Sequence, residues 1–210
     1  MSADPSQIRI LVVDDHPLLR QGIARLVADQ SDMSLVAEAS NGREAILQFR
    51  AHRPDVTLMD LQMPEMNGLD AIVAIRGEFP EARIIMLTTY DGDVQVLRAL
   101  KAGARAYLLK NLLRKELLET IRAVHAGKKT LSPEVSYQLA EHATDDALTP
   151  AEIDVLRLIA AGNANKQIAD QLSITEETVK GRVKNILSKL GANDRTHAAM
   201  IGLKRGIIEF

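Results

Sequence analysis

The feature that most constrains the fold is the alternation, over residues 8–127, of five short apolar runs with five longer amphipathic segments. This repetition predicts strand–helix units around a parallel sheet, and such uniformly apolar runs are typical of strands buried on both faces. The predicted strands are Ile8–Val13, Ser34–Ala37, Val56–Met59, Arg83–Leu87 and Ala106–Leu109. The predicted helices are Pro17–Ala28, Gly42–Ala51, Gly68–Phe79, Asp93–Leu100 and Leu113–Gly127.

The pattern changes after residue 127. The polar stretch Gly127–Ala147 predicts a domain boundary, with a short helix running from Ser132-Pro133 to about His142. Beyond it, Thr149-Pro150-Ala151-Glu152 is a capping box with proline at the first helical position, and the periodicity becomes purely helical. We therefore predict an α/β domain over residues 1–127, a linker over 128–147 and an all-α domain over 148–210.

Composition narrows the class of protein. The absence of cysteine excludes disulfides and thiolate metal sites, and the sequence shows neither a secretory leader pattern nor an apolar run of membrane-spanning length, so we expect a cytoplasmic protein. The net charge is only −2. Residues 176–205, however, carry seven basic side chains against three acidic ones, a local balance of +4 that is compatible with a nucleic-acid partner.

Chemistry-bearing residues end four of the five predicted strands. Asp14-Asp15 follow the first strand, Asp60 the third, Thr88-Thr89 the fourth and Lys110 the fifth. Alone, each is commonly a turn, cap or surface residue. In a sheet of order 2-1-3-4-5, however, they meet at the edge where doubly wound folds bind ligands.

Three adjacent carboxylates require protonation or a metal ion, and Mg²⁺ is the cation that best fits oxygen ligands of this kind. The ion would also neutralise an incoming phosphoryl group and bridge it to Asp60, while Lys110 would hold another phosphoryl oxygen. Asp60 is then the expected nucleophile.

The predicted all-α domain has helix-turn-helix spacing. Its first three helices are Glu152–Ala161, Asn165–Leu172 and a third capped by Thr175. On the third, an apolar stripe faces inward, Gly181, Lys184 and Ser188 face outward and Lys180 lies on the flank. The stripe consists of Val179, Val183, Ile186 and Leu190. A solvated face of a small bundle is the ordinary interpretation, and a DNA-reading helix is the alternative.

Four segments together resemble the receiver domain of two-component response regulators, which has a flavodoxin-like fold, over residues 8–127. The segments are Val12-Val13-Asp14-Asp15-His16-Pro17, Met59-Asp60-Leu61-Gln62-Met63-Pro64-Glu65-Met66-Asn67-Gly68, Leu87-Thr88-Thr89-Tyr90 and Ala102-Gly103-Ala104-Arg105-Ala106-Tyr107-Leu108-Leu109-Lys110. The resemblance implies a sensor histidine kinase as partner and phosphorylation of Asp60. It implies Mg²⁺ held by Asp15, Asp60 and the Gln62 backbone carbonyl, with Asp14 acting through water. Thr88 and Lys110 would contact the phosphoryl group, and Thr88 and Tyr107 would be switch residues.

One departure from the receiver pattern affects the loop after Lys110. The family usually has proline next, often after a cis peptide, whereas this chain has Asn111, and a cis bond before a non-proline residue costs about 2.5–4 kcal/mol. Asn111 therefore leaves open a vestigial receiver that works without phosphorylation. A third hypothesis, an aspartate-nucleophile phosphatase, expects a second Asp two residues after Asp60, where this chain has Gln62.

The C-terminal segments resemble a LuxR-type DNA-binding domain, so the whole chain resembles the NarL/FixJ family. They are Leu148-Thr149-Pro150-Ala151-Glu152, residues 158–169 and residues 178–190. The resemblance implies a transcription regulator, not an enzyme, that binds double-stranded DNA as a homodimer on phosphorylation. Lys180, Gly181 and Lys184 would face bases, Lys166 and Arg182 would touch phosphates, and the helix Asp194–Arg205 would support dimerisation.

Three positions depart from the usual LuxR-type pattern. Ala164 replaces a helix-capping serine, so Asn163 or Asn165 is expected to cap the second helix or its end frays. Arg182 replaces a frequent histidine, and Gly181 offers no side chain to a base where a larger residue is common. The target DNA sequence therefore cannot be inferred from that of relatives.

Overall fold

The computed structural model describes residues 7–89, 93–110, 113–131, 136 and 147–208, which form an N-terminal α/β unit and a C-terminal helical unit. The α/β unit has six strands, β1 (Ile8–Val13), β2 (Met33–Ala39), β3 (Val56–Asp60), β4 (Ile84–Thr88), β5 (Ala106–Leu109) and β6 (Thr130–Leu131). Its helices are α1 (Pro17–Ala28), α2 (Gly42–His52), α3 (Gly68–Glu78), α4 (Asp93–Ala102) and α5 (Leu113–His125). The C-terminal unit has α6 (Pro150–Ala160), α7 (Asn165–Leu172), α8 (Glu176–Leu190) and α9 (Arg195–Lys204).

The strands of the N-terminal unit form one parallel sheet in the order β2-β1-β3-β4-β5-β6. This confirms the predicted α/β fold and the order 2-1-3-4-5, with one short strand added beside β5. All five described residues of β3 and of β4 are buried, as the uniformly apolar runs predicted. The sheet is therefore covered on both faces in its central strands.

The added strand β6 lies in the stretch that we predicted to be linker. Thr130 pairs with Ala106 and Leu131 with Tyr107, so the sheet continues past residue 127. A strand of two residues is too short to show a periodic pattern in the sequence. Its formation depends on pairing with the edge of β5, which is a tertiary contact. The predicted helix between Ser132 and His142 falls outside the described residues apart from Ser136.

Close backbone packing fixes the loop between β3 and α3. The Gly68 amide donates to the Leu61 carbonyl at 2.9 Å, and a Cβ at Gly68 would lie 2.0 Å from the Asp60 carbonyl oxygen. Such a contact excludes any side chain without a backbone shift. Asn67 caps α3 by accepting from the Asp70 amide at 2.8 Å, so the helix begins at the residue that contacts the end of β3.

The four helices of the C-terminal unit enclose their own apolar core. Its fully buried members include Val155, Leu156, Ile168, Val179 and Ile186. On α8, Val183 and Leu190 are partly buried and pack against this core, whereas Gly181, Lys184 and Ser188 are exposed, which confirms the predicted division of its faces. In the described part of this unit, residues 147–208, there is no strand.

The start of α7 differs from the sequence prediction. Neither asparagine caps it: the Asn163 amide group donates to the Leu158 carbonyl at 3.0 Å, and Asn165 Oδ1 lies 3.5 Å from Arg195. Instead, Gln167 Oε1 accepts from the Ala164 amide at 2.7 Å, which is half of a capping box. The prediction of an asparagine cap was wrong because the Gln167 side chain accepts from the Ala164 amide and stabilises the first turn of α7, although Ala164 has no side-chain oxygen.

Gly181 stabilises α8 less than alanine would. It is exposed in the middle of the helix, and no atom lies within 4 Å of a Cβ built there. Gly181→Ala is expected to raise the free energy of unfolding of the C-terminal unit by about 0.5–1 kcal/mol, since glycine loses more backbone entropy on helix formation. Urea denaturation of the full chain, followed by helical circular dichroism, measures the change.

The matched control is Gly191, which ends the same helix in the left-handed region at φ 60°. Gly191→Ala should lower stability by about 1–2 kcal/mol, because an L side chain is strained there. A loss of stability in Gly181→Ala would contradict the described environment of that residue.

Candidate functional site

The sheet register brings the predicted acidic residues to one edge. Val13 pairs with Met59, so Asp14 and Asp60 are the next residues on neighbouring parallel strands. Asp14 is fully buried and Asp60 is 3% exposed. A buried carboxylate is destabilising in its charged form unless a cation or a hydrogen-bond donor lies next to it, so these two residues require such a partner.

Lys110 supplies that compensation. Its Nζ lies 2.8 Å from Asp14 Oδ2 and 2.8 Å from Asp60 Oδ2, and its side chain is 11% exposed. The Lys110 amide donates to the Thr88 carbonyl at 2.7 Å, which continues the β4–β5 pairing to this residue. The sequence placed Lys110 beside the carboxylates, and the structure shows that it bridges two of them.

The surroundings shift the protonation equilibria of both partners. Burial raises the pKa of Asp60 to about 6, with a further increase from the Asp14 charge, against the Lys110 hydrogen bond and the Gln62 amide, which lower it. For Lys110, burial lowers the pKa, but hydrogen bonds to Asp14 and Asp60 outweigh burial and leave the pKa raised. Lys110 therefore stays protonated beside Asp60, whose charged form is disfavoured by burial.

The acidic residues could also hold a divalent cation. Ligand atoms of Asp14, Asp15, His16 and Asp60 all lie within 4.8 Å of one another. Asp15 Oδ1 is shielded from solvent and lies in this group of ligand atoms. Three neighbouring carboxylates fit a hard cation with oxygen ligands.

Two residues that the sequence argument did not assign also contact this site. His16 Nδ1 lies 2.7 Å from Asp15 Oδ1 and 3.2 Å from Asp14 Oδ1. Arg20 donates from a guanidinium nitrogen to the Asp14 carbonyl at 2.6 Å, and its Nε lies 3.3 Å from Glu38 Oε2. Arg20 follows His16 by four residues, one turn along α1, and this spacing was the available signal.

The remaining predicted receiver residues lie around this cluster. Thr88 is 1% exposed at the end of β4, and Tyr107 is fully buried on β5. The Gln62 amide is 3.4 Å from Asp60 Oδ1 and its side chain is exposed. Asn111, and with it the geometry of the peptide after Lys110, lies outside the described residues.

In the C-terminal unit, the predicted DNA-contacting residues are accessible. Lys166, Lys180, Gly181 and Lys184 are exposed, and Arg182 is partly exposed. Thr175 caps α8 by accepting from the Thr178 amide at 3.1 Å, after the turn that follows α7. Lys180 Nζ is not entirely solvated, since it lies 3.6 Å from Glu176 Oε1 and 3.7 Å from Glu177 Oε2.

Comparison with known families assigns both units. Residues 10–122 match the response regulator receiver domain, and residues 146–201 match the bacterial regulatory proteins of the luxR family. The chain belongs to the NarL/FixJ-type response regulators. The response regulator is accordingly a receiver domain followed by a LuxR-type helix-turn-helix domain, and its function is that of a phosphorylation-dependent transcriptional regulator.

Relatives match this response regulator over its whole length. The response regulator protein VraR of Staphylococcus aureus is 38% identical over 207 residues, which cover 96% of this chain and 99% of VraR. The crystal structure of ChrA, from a heme-sensing two-component system, is 34% identical, with a TM-score of 0.58 and coverage of 97% of this chain and 100% of ChrA.

A third relative was solved on DNA. RcsB of Salmonella enterica serovar Typhimurium, bound to a promoter in the presence of the phosphomimetic BeF₃⁻, is 27% identical, with a TM-score of 0.74 and coverage of 93% of this chain and 97% of RcsB. These relatives are regulators, in agreement with the expectation that this chain regulates transcription. No helix in the described part of this chain is long and apolar enough to cross a membrane.

Proposed function

We propose that Asp60 accepts a phosphoryl group from a sensor histidine kinase in the presence of Mg²⁺, and that this modification controls DNA binding by α7 and α8. The observation that supports the proposal is the burial of Asp60 against Asp14, with Lys110 2.8 Å from each carboxylate. A nucleophile held beside a fixed cation is preorganised for transfer of an anionic group.

The residues divide the chemistry among them. An Asp60 carboxylate oxygen forms a bond to phosphorus while the P–N bond of the phosphohistidine breaks, and the imidazole nitrogen keeps the electron pair and takes a proton. Asp15, Asp60 and the Gln62 backbone carbonyl would hold Mg²⁺, with Asp14 contributing through water. When bound, the ion supplies positive charge that offsets the carboxylates and the phosphoryl oxygens.

Lys110 and Thr88 would act on the product. The Lys110 ammonium, which contacts Asp14 and Asp60, can donate one hydrogen bond to a phosphoryl oxygen without leaving the site. The Thr88 hydroxyl would donate another, with Tyr107 on the neighbouring strand as the second moving residue. Thr88 pairs with Leu109 and Met86 with Tyr107, so the two residues lie on neighbouring strands, two positions apart in register.

The DNA-binding half of the proposal assigns α8 to the major groove. Lys180, Gly181 and Lys184 would face bases, and Lys166 and Arg182 would contact phosphates. Exposure of this face and the local excess of basic residues support the assignment. We also propose the domain limits 1–127, 128–147 and 148–210, with β6 of the linker added to the edge of the receiver sheet. We further propose a cytoplasmic location and no enzymatic role beyond the receiver's own phosphotransfer and dephosphorylation.

The deciding experiment is a genome-wide map of bound DNA for the wild-type chain and for Asp60→Ala. Under inducing conditions, the wild type should occupy a defined set of sites that the variant largely loses, because the variant lacks the phosphorylated oxygen. Identical maps would favour the alternative of a vestigial receiver. Thus the comparison separates control by phosphorylation from constitutive binding.

Phosphorylation should also raise self-association. The modification adds roughly −1.5 to −2 charges and three acceptor oxygens, which Thr88 and Lys110 can bind while pulling the ends of β4 and β5 inward. α9, on which Met200 is 64% exposed, is the proposed support for a homodimer. Light scattering with and without BeF₃⁻ and Mg²⁺, at several protein concentrations, should show a larger mass with the mimic.

A single unchanged mass under both conditions would contradict the self-association prediction. Asp60→Asn is the control, because it should remain at the lower mass with BeF₃⁻ present. This comparison removes any effect of the fluoride or of the metal salt alone.

A further inference from the structure

Glu177 lies on the outward stripe of α8 that carries the proposed base contacts. With 3.6 residues per turn, about 100° per residue, positions 177, 181, 184 and 188 follow one another along a single face, and Gly181, Lys184 and Ser188 are exposed there. The Glu177 side chain is 87% exposed and belongs to the first turn of the helix. In helix-turn-helix proteins, the N-terminal residues of the recognition helix contact base edges. Glu177 is therefore placed where a base can be reached.

Gly181 leaves the turn beside Glu177 uncovered. A helical side chain lies over the turn that precedes its own Cα, so a side chain at residue 181 would cover the turn that carries Glu177. Glycine has no side chain, and no atom of the described residues lies within 4 Å of a Cβ built at Gly181. A base edge can therefore approach the Glu177 carboxylate without displacing a side chain of the next turn.

The neighbouring Glu176 lies on the flank of this stripe. It precedes Lys180 by four residues, and its side chain is 49% exposed. Its Oε1 lies 3.6 Å from Lys180 Nζ, and Glu177 Oε2 lies 3.7 Å from the same nitrogen. Ion pairs between exposed side chains contribute little to stability, so Lys180 leaves the Glu177 carboxylate free to form another contact. The two glutamates thus share their charge and their lysine neighbour but differ by about 100° in direction.

Cytosine is the base that a carboxylate recognises best in the major groove. An ionised carboxylate only accepts hydrogen bonds, and the DNA phosphates repel it. Guanine presents acceptors at O6 and N7, thymine presents an acceptor at O4, and adenine presents a donor beside the N7 acceptor. Cytosine presents its N4 amino group, which is a donor alone. A hydrogen bond from that group offsets part of the phosphate repulsion.

We propose that Glu177 reads a cytosine of the operator by accepting a hydrogen bond from N4, in the space that Gly181 leaves open. The proposal deepens the proposed function and rests on it, because it requires α8 to lie in the major groove. Glu177 and Lys184 are seven residues apart, about 10 Å along the helix. The cytosine is therefore expected within about three base pairs of the position that Lys184 reads, since successive base pairs are about 3.4 Å apart.

The test is selection from a random DNA pool with the full chain in BeF₃⁻ and Mg²⁺, followed by titration of the selected operator. The wild type should bind this operator about 5–30-fold more tightly than the same DNA with thymine in place of the cytosine, the lower part of the range for a good base contact. Glu177→Gln should reduce this ratio to below about 2-fold, because the glutamine amide can also donate to thymine O4. Preferences at the other operator positions should not change.

Glu176→Gln is the matched control, because it removes one negative charge and one Lys180 contact from the same turn. It should keep the wild-type ratio, and circular dichroism of both variants should match the wild type because both side chains are exposed. The proposal is overturned if Glu177→Gln keeps the wild-type ratio, even while binding both DNAs more tightly, or if Glu176→Gln reduces the ratio equally. If the wild type enriches no sequence at all, the proposed function fails as well.

Discussion

Asp60→Asn protein incubated with acetyl phosphate and Mg²⁺ should take up no phosphoryl label, whereas the wild type becomes labelled only when Mg²⁺ is present. The amide cannot form the acyl phosphate, since it lacks the nucleophilic carboxylate oxygen. The metal is needed because Asp14, Asp15 and Asp60 repel an incoming phosphoryl dianion, and Lys110 supplies only one positive charge to this cluster. Radiolabelling or intact-protein mass spectrometry measures the modification.

Asp29→Asn is the matched control, because Asp29 is an exposed carboxylate at the end of α1 that contacts Arg25, away from the acidic cluster. Its label should equal that of the wild type. Stoichiometric labelling of Asp60→Asn that survives removal of alternative acceptors would show that the phosphoacceptor is another residue. Equal labelling of the wild type with a metal chelator would remove the proposed need for Mg²⁺.

Lys184→Ala should reduce binding to the specific operator by about 1–3 kcal/mol and affect random DNA much less. Lys184 is exposed in the middle of α8, where its ammonium can donate to guanine O6 or N7 in the major groove. Selection from a random DNA pool provides the operator, and titrations of both DNAs at several salt concentrations provide the free energies. The ratio of specific to random affinity should therefore fall.

Lys166→Ala is the matched comparison, because Lys166 is equally exposed but lies in the first turn of α7. It should weaken specific and random binding alike and reduce the log-log salt slope by about 1, since a phosphate contact releases a counterion. If Lys184→Ala weakened both DNAs equally while Lys166→Ala changed only operator preference, the proposed placement of α7 and α8 on DNA would be wrong.

Much of the fold followed from apolar periodicity. β1, β5, α1 and α7 have the predicted bounds. Charged residues mark the ends of β1 and β5, at Asp14-Asp15 and Lys110, and Pro17 marks the start of α1. Strand β2 extends further than predicted, to Met33–Ala39, since pairing with β1 also includes the exposed, charged residue Glu38. Strand pairing is a tertiary effect, and local composition reports it only partly.

The site was predictable at the level of residues and less so at the level of atoms. Strand-end positions placed Asp14, Asp60 and Lys110 together, because neighbouring parallel strands share an edge. Lys110 bridges both carboxylates, and Arg20 donates to the Asp14 carbonyl. Both contacts depend on side-chain conformations, which the spacing of residues in the sequence does not specify. The same limit applies to α7, where Gln167, not an asparagine, satisfies the first amide.

The close approach of Gly68 to the Asp60 carbonyl predicts which mutations would abolish signalling. With 2.0 Å between a Cβ at Gly68 and that oxygen, even alanine must displace the backbone that carries the phosphoacceptor. Alleles altered at Gly68 should therefore cluster with Asp60 alleles in a screen for lost signalling, although Gly68 has no side chain to react. Substitutions at the two ends of the segment 60–68 are thus expected to have the same effect, a receiver that no longer signals.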